Sequence, residues 1–330
     1  MSNMVEGRII EITEQGRPEV MQVRSFNFPD PEEGEVLIDQ KALGMNFLDV
    51  YHRSGAYPLS MPTGIGTEAA GIVAKVGAGV TEFKEGDRVA YGGGAPGGYA
   101  DYRNVLATRI VPIPNNVTDE QAATSLMKGM TVEYLLERVY SVQPGQMILF
   151  YAAAGGVGLI AGQWGKSLGA HMIGVAGGPE KCQLALANGY EICLDRHADE
   201  DVSAKVAELT NGIGLPVVYD SIGKETYTTT LDCLGPRGFF VSFGATSGPV
   251  PAVQATELQK RNSLYFTRPT LVTYTADRAD LLMSSGKVFA KLGSGEIKTE
   301  VGQTYKLEDV VKAHQDFEAG KTRGSTLIMP

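Results

Sequence analysis

The stretch Met147-Ile-Leu-Phe-Tyr-Ala-Ala-Ala-Gly-Gly-Val-Gly158 decides the fold of this 330-residue chain. Apolar residues long enough for a buried strand run directly into a turn of small residues, and helix-period residues continue over 157–168. Ala153, Gly155 and Gly158 hold the spacing of the dinucleotide fingerprint, with alanine replacing the first glycine. Each small residue serves one need of the motif, whether the tight turn, close approach of backbone to a pyrophosphate, or packing of helix on strand. A helix starting near Val157, with Gly156 in the turn, aims unpaired N–H groups and the positive end of its dipole at that anion. A purely structural strand–helix turn is the plainer reading. The second apolar run His171–Ala176 argues against it by completing strand–helix–strand. The alternation goes on through a strand at 217–220, a helix at 226–234 and a strand at 238–243, which predicts a doubly wound parallel sheet. Gly165-Lys166-Ser167 resembles the end of a P-loop, but that motif needs glycine where Ile160 stands.

The end of the second strand selects the cofactor. Enzymes that prefer NAD usually place Asp or Glu there to accept the ribose hydroxyls. This chain reads Ala176-Gly177-Gly178, with no acid, and Lys181 follows within reach of a 2′-phosphate. NADPH is therefore expected, with Gly177 and Lys181 at its phosphate end. Glu180 stands against this if it turns inward to a ribose, and Lys181 reads equally as a surface helix cation.

Outward from this core, residues up to about 115 are rich in Gly and Pro. Short alternating runs at 35–39 and 71–76 lie between turn signals such as Glu85-Gly86-Asp87, which predicts a mostly β region. Beyond Pro269 come one long helical pattern, 276–292, and a closing apolar run, 326–329. The length suits two domains able to close a cleft. Composition, 43% hydrophobic and 20% charged, is that of an ordinary globular protein. With 38 acidic against 29 basic side chains the net charge is −9, which repels nucleic-acid backbones and anionic membranes. The longest apolar run, 147–162, is too short and too glycine-rich to span a bilayer. Residues 1–10 lack the basic-then-apolar pattern of a secretory leader, so a cytoplasmic protein is expected. Cys182, Cys193 and Cys233 form no C-x-x-C pair and read as buried reduced thiols, and His52, His171, His197 and His314 show no ligand spacing. No metal site is expected.

Seven segments together carry a family resemblance: Asn46-Phe-Leu-Asp49, Arg53-Ser-Gly-Ala-Tyr57-Pro58, Gly66-Thr-Glu-Ala-Ala-Gly71, Val76-Gly-Ala-Gly-Val80, Gly86-Asp-Arg-Val89, residues 152–158, and Val241-Ser-Phe-Gly244. Over nearly its whole length the chain resembles the zeta-crystallin-type quinone oxidoreductases, a zinc-free branch of the medium-chain dehydrogenase/reductase superfamily. The resemblance implies an α/β protein in which a GroES-like, mostly-β catalytic domain (1–128, with 270–330 returning to it) frames a Rossmann domain (129–269), and it implies a homodimer. Zinc alcohol dehydrogenases of the superfamily carry an early catalytic Cys and a Gly-His-Glu motif. Here no cysteine precedes Cys182 and the motif reads Gly66-Thr67-Glu68, so Lewis-acid polarisation of a carbonyl has no ligands. Hydride delivery to an already electron-poor acceptor remains.

By the same resemblance Asn46, Asp49 and Tyr57 are the catalytic candidates. Asn46 would position cofactor or substrate and Asp49 would serve structurally. Tyr57 would stabilise an oxyanion or stack on a flat ring, although a Tyr beside Pro58 is also an ordinary packed turn. Thr131, Phe243, Gly244, Phe266 and Arg268 would support the cofactor, Arg268 assisting at the carboxamide or pairing structurally. One departure opposes NADPH: where the family often has Asn-Tyr-Arg, this chain has Leu194-Asp195-Arg196, and Asp195 would repel a phosphate that it faced. Arg196, with Lys321 or Arg323 from the tail, would compensate. The leading expectation is NADPH-dependent quinone reduction. Reduction of α,β-unsaturated carbonyls is the alternative, and a non-enzymatic, RNA-contacting or structural protein is the remote one, disfavoured by the acidic balance.

Overall fold

The computed structural model describes residues 4–198 and 201–330; residues 1–3, part of the segment read for a leader, lie outside the described residues. The chain divides into two compact units: residues up to Met130 together with Tyr274–Pro330, and Thr131–Thr273.

The first unit is built on strands. β1 (Val5–Ile12) pairs antiparallel with β2 (Gln22–Phe28), and β3 (Glu35–Met45) leads into helix α1 (Phe47–Ser54). β4 (Thr63–Gly64), β5 (Glu68–Val76), β6 (Arg88–Gly92), β7 (Tyr102–Leu106) and β8 (Val111–Pro112) follow, and α2 (Asp119–Glu133) closes the segment. β3 is the hub, pairing with β5 and β7, because its apolar residues bury almost continuously. The run read at 35–39 is thus the start of an eleven-residue strand. Ile10, Ile38, Leu43, Ile65, Val89 and Tyr99 form the centre of this core. Gly44 lets α2 approach: a Cβ there would sit 1.9 Å from the Ala123 carbonyl oxygen.

The second unit is the expected parallel sheet. β9 (Met147–Tyr151), α3 (Gly156–Ser167), β10 (His171–Ala176), α4 (Pro179–Ala187) and β11 (Ile192–Asp195) make its first half. α5 (Val202–Leu209), β12 (Leu215–Asp220), α6 (Tyr227–Cys233), β13 (Leu234–Ser242), α7 (Ala255–Lys260), β14 (Tyr265–Thr267) and α8 (Leu271–Tyr274) make the second. The strand order β11-β10-β9-β12-β13-β14, every pair parallel, is the doubly wound order with its switch point between β9 and β12. Leu149, Ile173, Val175, Leu194 and Val218 pack one face. Lys166 and Ser167 end α3 and are both exposed.

The chain then returns to the first unit through α9 (Arg278–Gly293), β15 (Val301–Lys306), α10 (Val310–Glu318) and β16 (Ser325–Met329), which pairs antiparallel with β3. The periodicity did not signal a π-helical turn at Tyr134–Val139, directly after α2. Such turns recur near functional sites.

Candidate functional site

The strand-to-helix turn after β9 is shaped by backbone contacts. Ala152 takes a left-handed φ of 53°, and the Ala153 N–H donates to the Val175 carbonyl at 3.1 Å, tying the turn to β10. Gly155 caps α3 with no side chain and is exposed, while Gly156 and Val157 are half-buried, so the first-turn N–H groups of α3 open outward. Gly158 is needed for packing. A Cβ there would lie 2.3 Å from the Ala152 oxygen and 2.7 Å from the Ala153 carbonyl carbon. A Cβ at Gly155 would meet only the Ala152 oxygen, at 3.3 Å, so that glycine serves what approaches from outside. The cradle suits a pyrophosphate: donors converge, a helix dipole points out, and no side chain intrudes.

Other cofactor candidates in this unit take distinct places. Phe243 donates its N–H to the Asp220 carbonyl at 2.8 Å and lays its ring 5.2 Å from Phe150. A Cβ at Gly244 would strike the Ser221 oxygen at 2.6 Å, so this turn needs glycine. Phe266 packs edge-on to Phe240 at 5.1 Å, which commits its ring to the core rather than to an open surface. Arg268 donates to the Ser242 carbonyl at 3.0 Å, the structural half of the two roles left open for it. Thr131, half-buried, lies near the end of α2, close ahead of the π turn.

At the ends of β10 and β11 the polar residues sort themselves. Gly178, at φ 93°, starts α4 with Pro179 at its first position, and Lys181 on α4 is half-buried while Glu180 is exposed. Asp195 accepts N–H bonds at one carboxylate oxygen from Gly178 (2.7 Å) and His197 (2.9 Å). These bonds hold its carboxyl below the usual range. Arg196 is partly exposed, 4.0 Å from Glu225. Arg323 belongs to the other unit, with its backbone N–H on Gln303 at 3.2 Å.

In the first unit a buried polar network surrounds Asn46 and Asp49. Asn46 precedes α1 in extended conformation, placing Asp49 in the helix's first turn. Asp49 is fully buried and accepts from the Asn46 N–H (2.8 Å), the Thr67 hydroxyl (2.8 Å) and the Tyr99 hydroxyl (2.9 Å). Burial pushes its carboxyl up to about 6, against the three donors, which pull it down. The structural role expected of Asp49 is consistent with these three bonds, and burial adds a bias toward its protonated form. Tyr99 is pushed well above the ordinary phenol value by burial and by Asp49.

Glu68, also fully buried, receives the Asn46 side-chain amide at 2.8 Å, the Met127 N–H at 2.7 Å and the Lys128 ammonium at 3.2 Å. In the sequence, Thr67 and Glu68 stand out only as part of a motif unable to hold zinc. Here they are the partners that orient Asp49 and Asn46. Tyr99 and Lys128 were missed altogether, since nothing local marks a Tyr on a loop or a Lys in a helix as buried.

Tyr57 is elsewhere on the same unit's surface, 42% exposed, its ring 5.3 Å from Tyr51. Tyr51 continues to Phe47 and Phe317 as a strip of rings. Among the described residues no group of three or more His, Cys, Asp or Glu is placed to hold a metal ion. Of the three cysteines, Cys182 and Cys233 are buried, but Cys193 is only half-buried, contrary to expectation.

The chain is similar to known proteins over nearly its whole length. Residues 32–115 match the alcohol dehydrogenase GroES-like domain and residues 156–279 the zinc-binding dehydrogenase domain. The chain is 46% identical to quinone oxidoreductase 1 of Escherichia coli (strain K12), over 97% of this chain and 99% of that protein. It is 43% identical to a quinone oxidoreductase of Pseudomonas aeruginosa, with 97% and 99% covered. The solved structure of E. coli quinone oxidoreductase complexed with NADPH superposes with a TM-score of 0.96 at 45% identity, covering 98% of this chain and all of that one.

Proposed function

This chain belongs to the quinone oxidoreductase family of the medium-chain dehydrogenase/reductase superfamily, and from that membership we propose that it reduces quinones with NADPH, without zinc. The observation that carries the reading is the glycine cradle at the start of α3, set in a chain similar to quinone oxidoreductases from end to end. When bound, NADPH supplies the reducing equivalents. Residues 129–269 are assigned to cofactor binding, and 1–128 with 270–330 to catalysis.

In this reading the first-turn N–H groups of α3, at Gly156, Val157 and Gly158, bind the pyrophosphate, with Ala153 and Gly155 leaving room. Thr131, Phe243, Gly244, Phe266 and Arg268 support the nicotinamide side, Phe266 and Arg268 through the backbone geometry they hold rather than by free side chains. Gly177, Lys181 and Arg196 are assigned to the adenosine phosphate. Asn46 gives one amide hydrogen to Glu68, which fixes the plane of its amide. Asp49 holds a proton at its carboxyl for part of the time at neutral pH and below. Tyr57 offers a hydroxyl or ring face to a flat acceptor, and the aromatic strip beside it favours the ring. Final protonation of the product comes from solvent.

No helix among the described residues is long and apolar enough to cross a membrane, and reduced thiols fit a cytoplasmic protein. A homodimer is supported by the edge strand β14, which exposes Tyr265. Anaerobic oxidation of NADPH with a panel of quinones, enals and enoyl thioesters tests the activity. Turnover on quinones is expected, and its absence on every quinone overturns the reading. Dissociation constants for NADPH and NADH test the cofactor, with NADPH expected to be the tighter ligand.

A further inference from the structure

The last residues of β11 and the turn beyond it lie against the end of β10, and one contact there is unusually close. A Cβ built on Gly177 would come within 2.7 Å of His197 Cε1 and 3.0 Å of its Nε2, and within 3.4 Å of Arg196 Nε. Both basic side chains therefore press against the backbone that ends β10. In a doubly wound sheet this strand end is where the adenosine ribose and its 2′ substituent are read. Gly177 is thus glycine for a local reason: any side chain would displace the imidazole and the guanidinium. The pairing of β10 with β11 runs up to Ala176 opposite Asp195, so the two turns leave the sheet side by side.

What holds them together is Asp195. Its single oxygen Oδ1 accepts from Gly178 on one turn and from His197 on the other. A carboxylate engaged with two backbone donors is spent on the protein's own chain, and its charge faces those donors. In place, it aims rather than opposes the basic groups. Beside His197 the charged groups are Asp195 and Arg196 from the β11 end and its turn, and Glu225 lies 4.0 Å from Arg196.

We propose that His197 is a specificity-determining residue for the 2′-phosphate, acting with Arg196 over the bare Gly177 backbone, and that Asp195 is the positioning residue that clamps the two turns. The proposal rests on the NADPH reading and identifies which groups of this chain discriminate NADPH from NADH.

Calorimetry of the full chain with 2′,5′-ADP and with 5′-AMP isolates the contribution of the 2′-phosphate. H197Q, which keeps a planar polar side chain, is expected to lower the affinity ratio of 2′,5′-ADP to 5′-AMP about three- to tenfold, the range for a partly exposed charge-assisted contact. D195A is expected to lower the same ratio, and D195N, which retains an acceptor oxygen, to restore it. If Asp195 instead repels the phosphate, D195A and D195N both raise the ratio, and the proposal fails. An unchanged ratio in H197Q also overturns it while leaving the NADPH reading intact. Equal wild-type affinity for 2′,5′-ADP and 5′-AMP overturns that reading itself. Binding of 5′-AMP by each variant verifies that the site is folded.

Discussion

At the scale of single residues, two buried carboxylates are held by different kinds of partner. Asp49 has three neutral donors, which do not fully offset its desolvation. Its folded-state carboxyl therefore binds a proton more tightly than an unfolded one, at about 6 against about 4. The native state holds the extra proton, so the contribution of this group to stability is greatest at low pH and is lost as pH rises through that window. The unfolding free energy of D49N, from urea titrations, should rise relative to that of the wild type by about 3 kcal/mol between pH 4 and pH 7, most of it by pH 6, and the difference should stay constant above pH 7. Glu68 has a cation instead. E68A strands the Lys128 ammonium among buried groups and should cost about 3–5 kcal/mol in urea unfolding, with the double variant E68A/K128M recovering much of the loss. Full additivity of the two changes would show that the pair is not coupled.

The turn joining β9 to α3 shows, at the scale of the element, why two glycines of one motif are not equivalent. Gly158 touches the turn's own carbonyl, so G158A must push helix from strand and should lower stability by about 1–3 kcal/mol along with cofactor affinity. Gly155 has an extended φ of −80° and an open outer face. G155A should leave the melting temperature nearly unchanged yet weaken NADPH binding about tenfold or more, by filling the space proposed for the pyrophosphate. Fluorescence titration and thermal melting of both variants separate the two effects. The parallel strands were legible because residues buried on both faces read as continuous apolar runs. β3 was legible only in its first residues, since its later part, Lys41 to Gly44, mixes charge and glycine and owes its strand geometry to pairing with β5 and β16. The π turn after α2 left no periodic signature at all.

On the scale of the whole molecule, the chain's one tryptophan is a reporter for one unit. Trp164 lies fully buried in α3 and donates its indole N–H to Glu137 at 2.8 Å, both within Thr131–Thr273. Its emission should therefore follow unfolding of the cofactor unit alone, and NADPH at a hundred times its dissociation constant should stabilise that transition by about 2.7 kcal/mol. A tryptophan transition indifferent to NADPH would separate α3 from the cofactor site. The amino-acid sequence alone determined the Rossmann unit, the glycine cradle and the loss of the zinc motif, because these are local facts: a strand, a turn and a helix adjacent in the chain, and residue types that cannot ligate. Only the tertiary structure decided what Asp49, Glu68 and Asp195 do. A carboxylate's character depends on burial and on donors contributed by distant segments: Thr67 and Tyr99 for Asp49, Met127 and Lys128 for Glu68, and the Gly178 turn for Asp195. No spacing along the chain encodes those neighbours, which folding alone brings within hydrogen-bond reach.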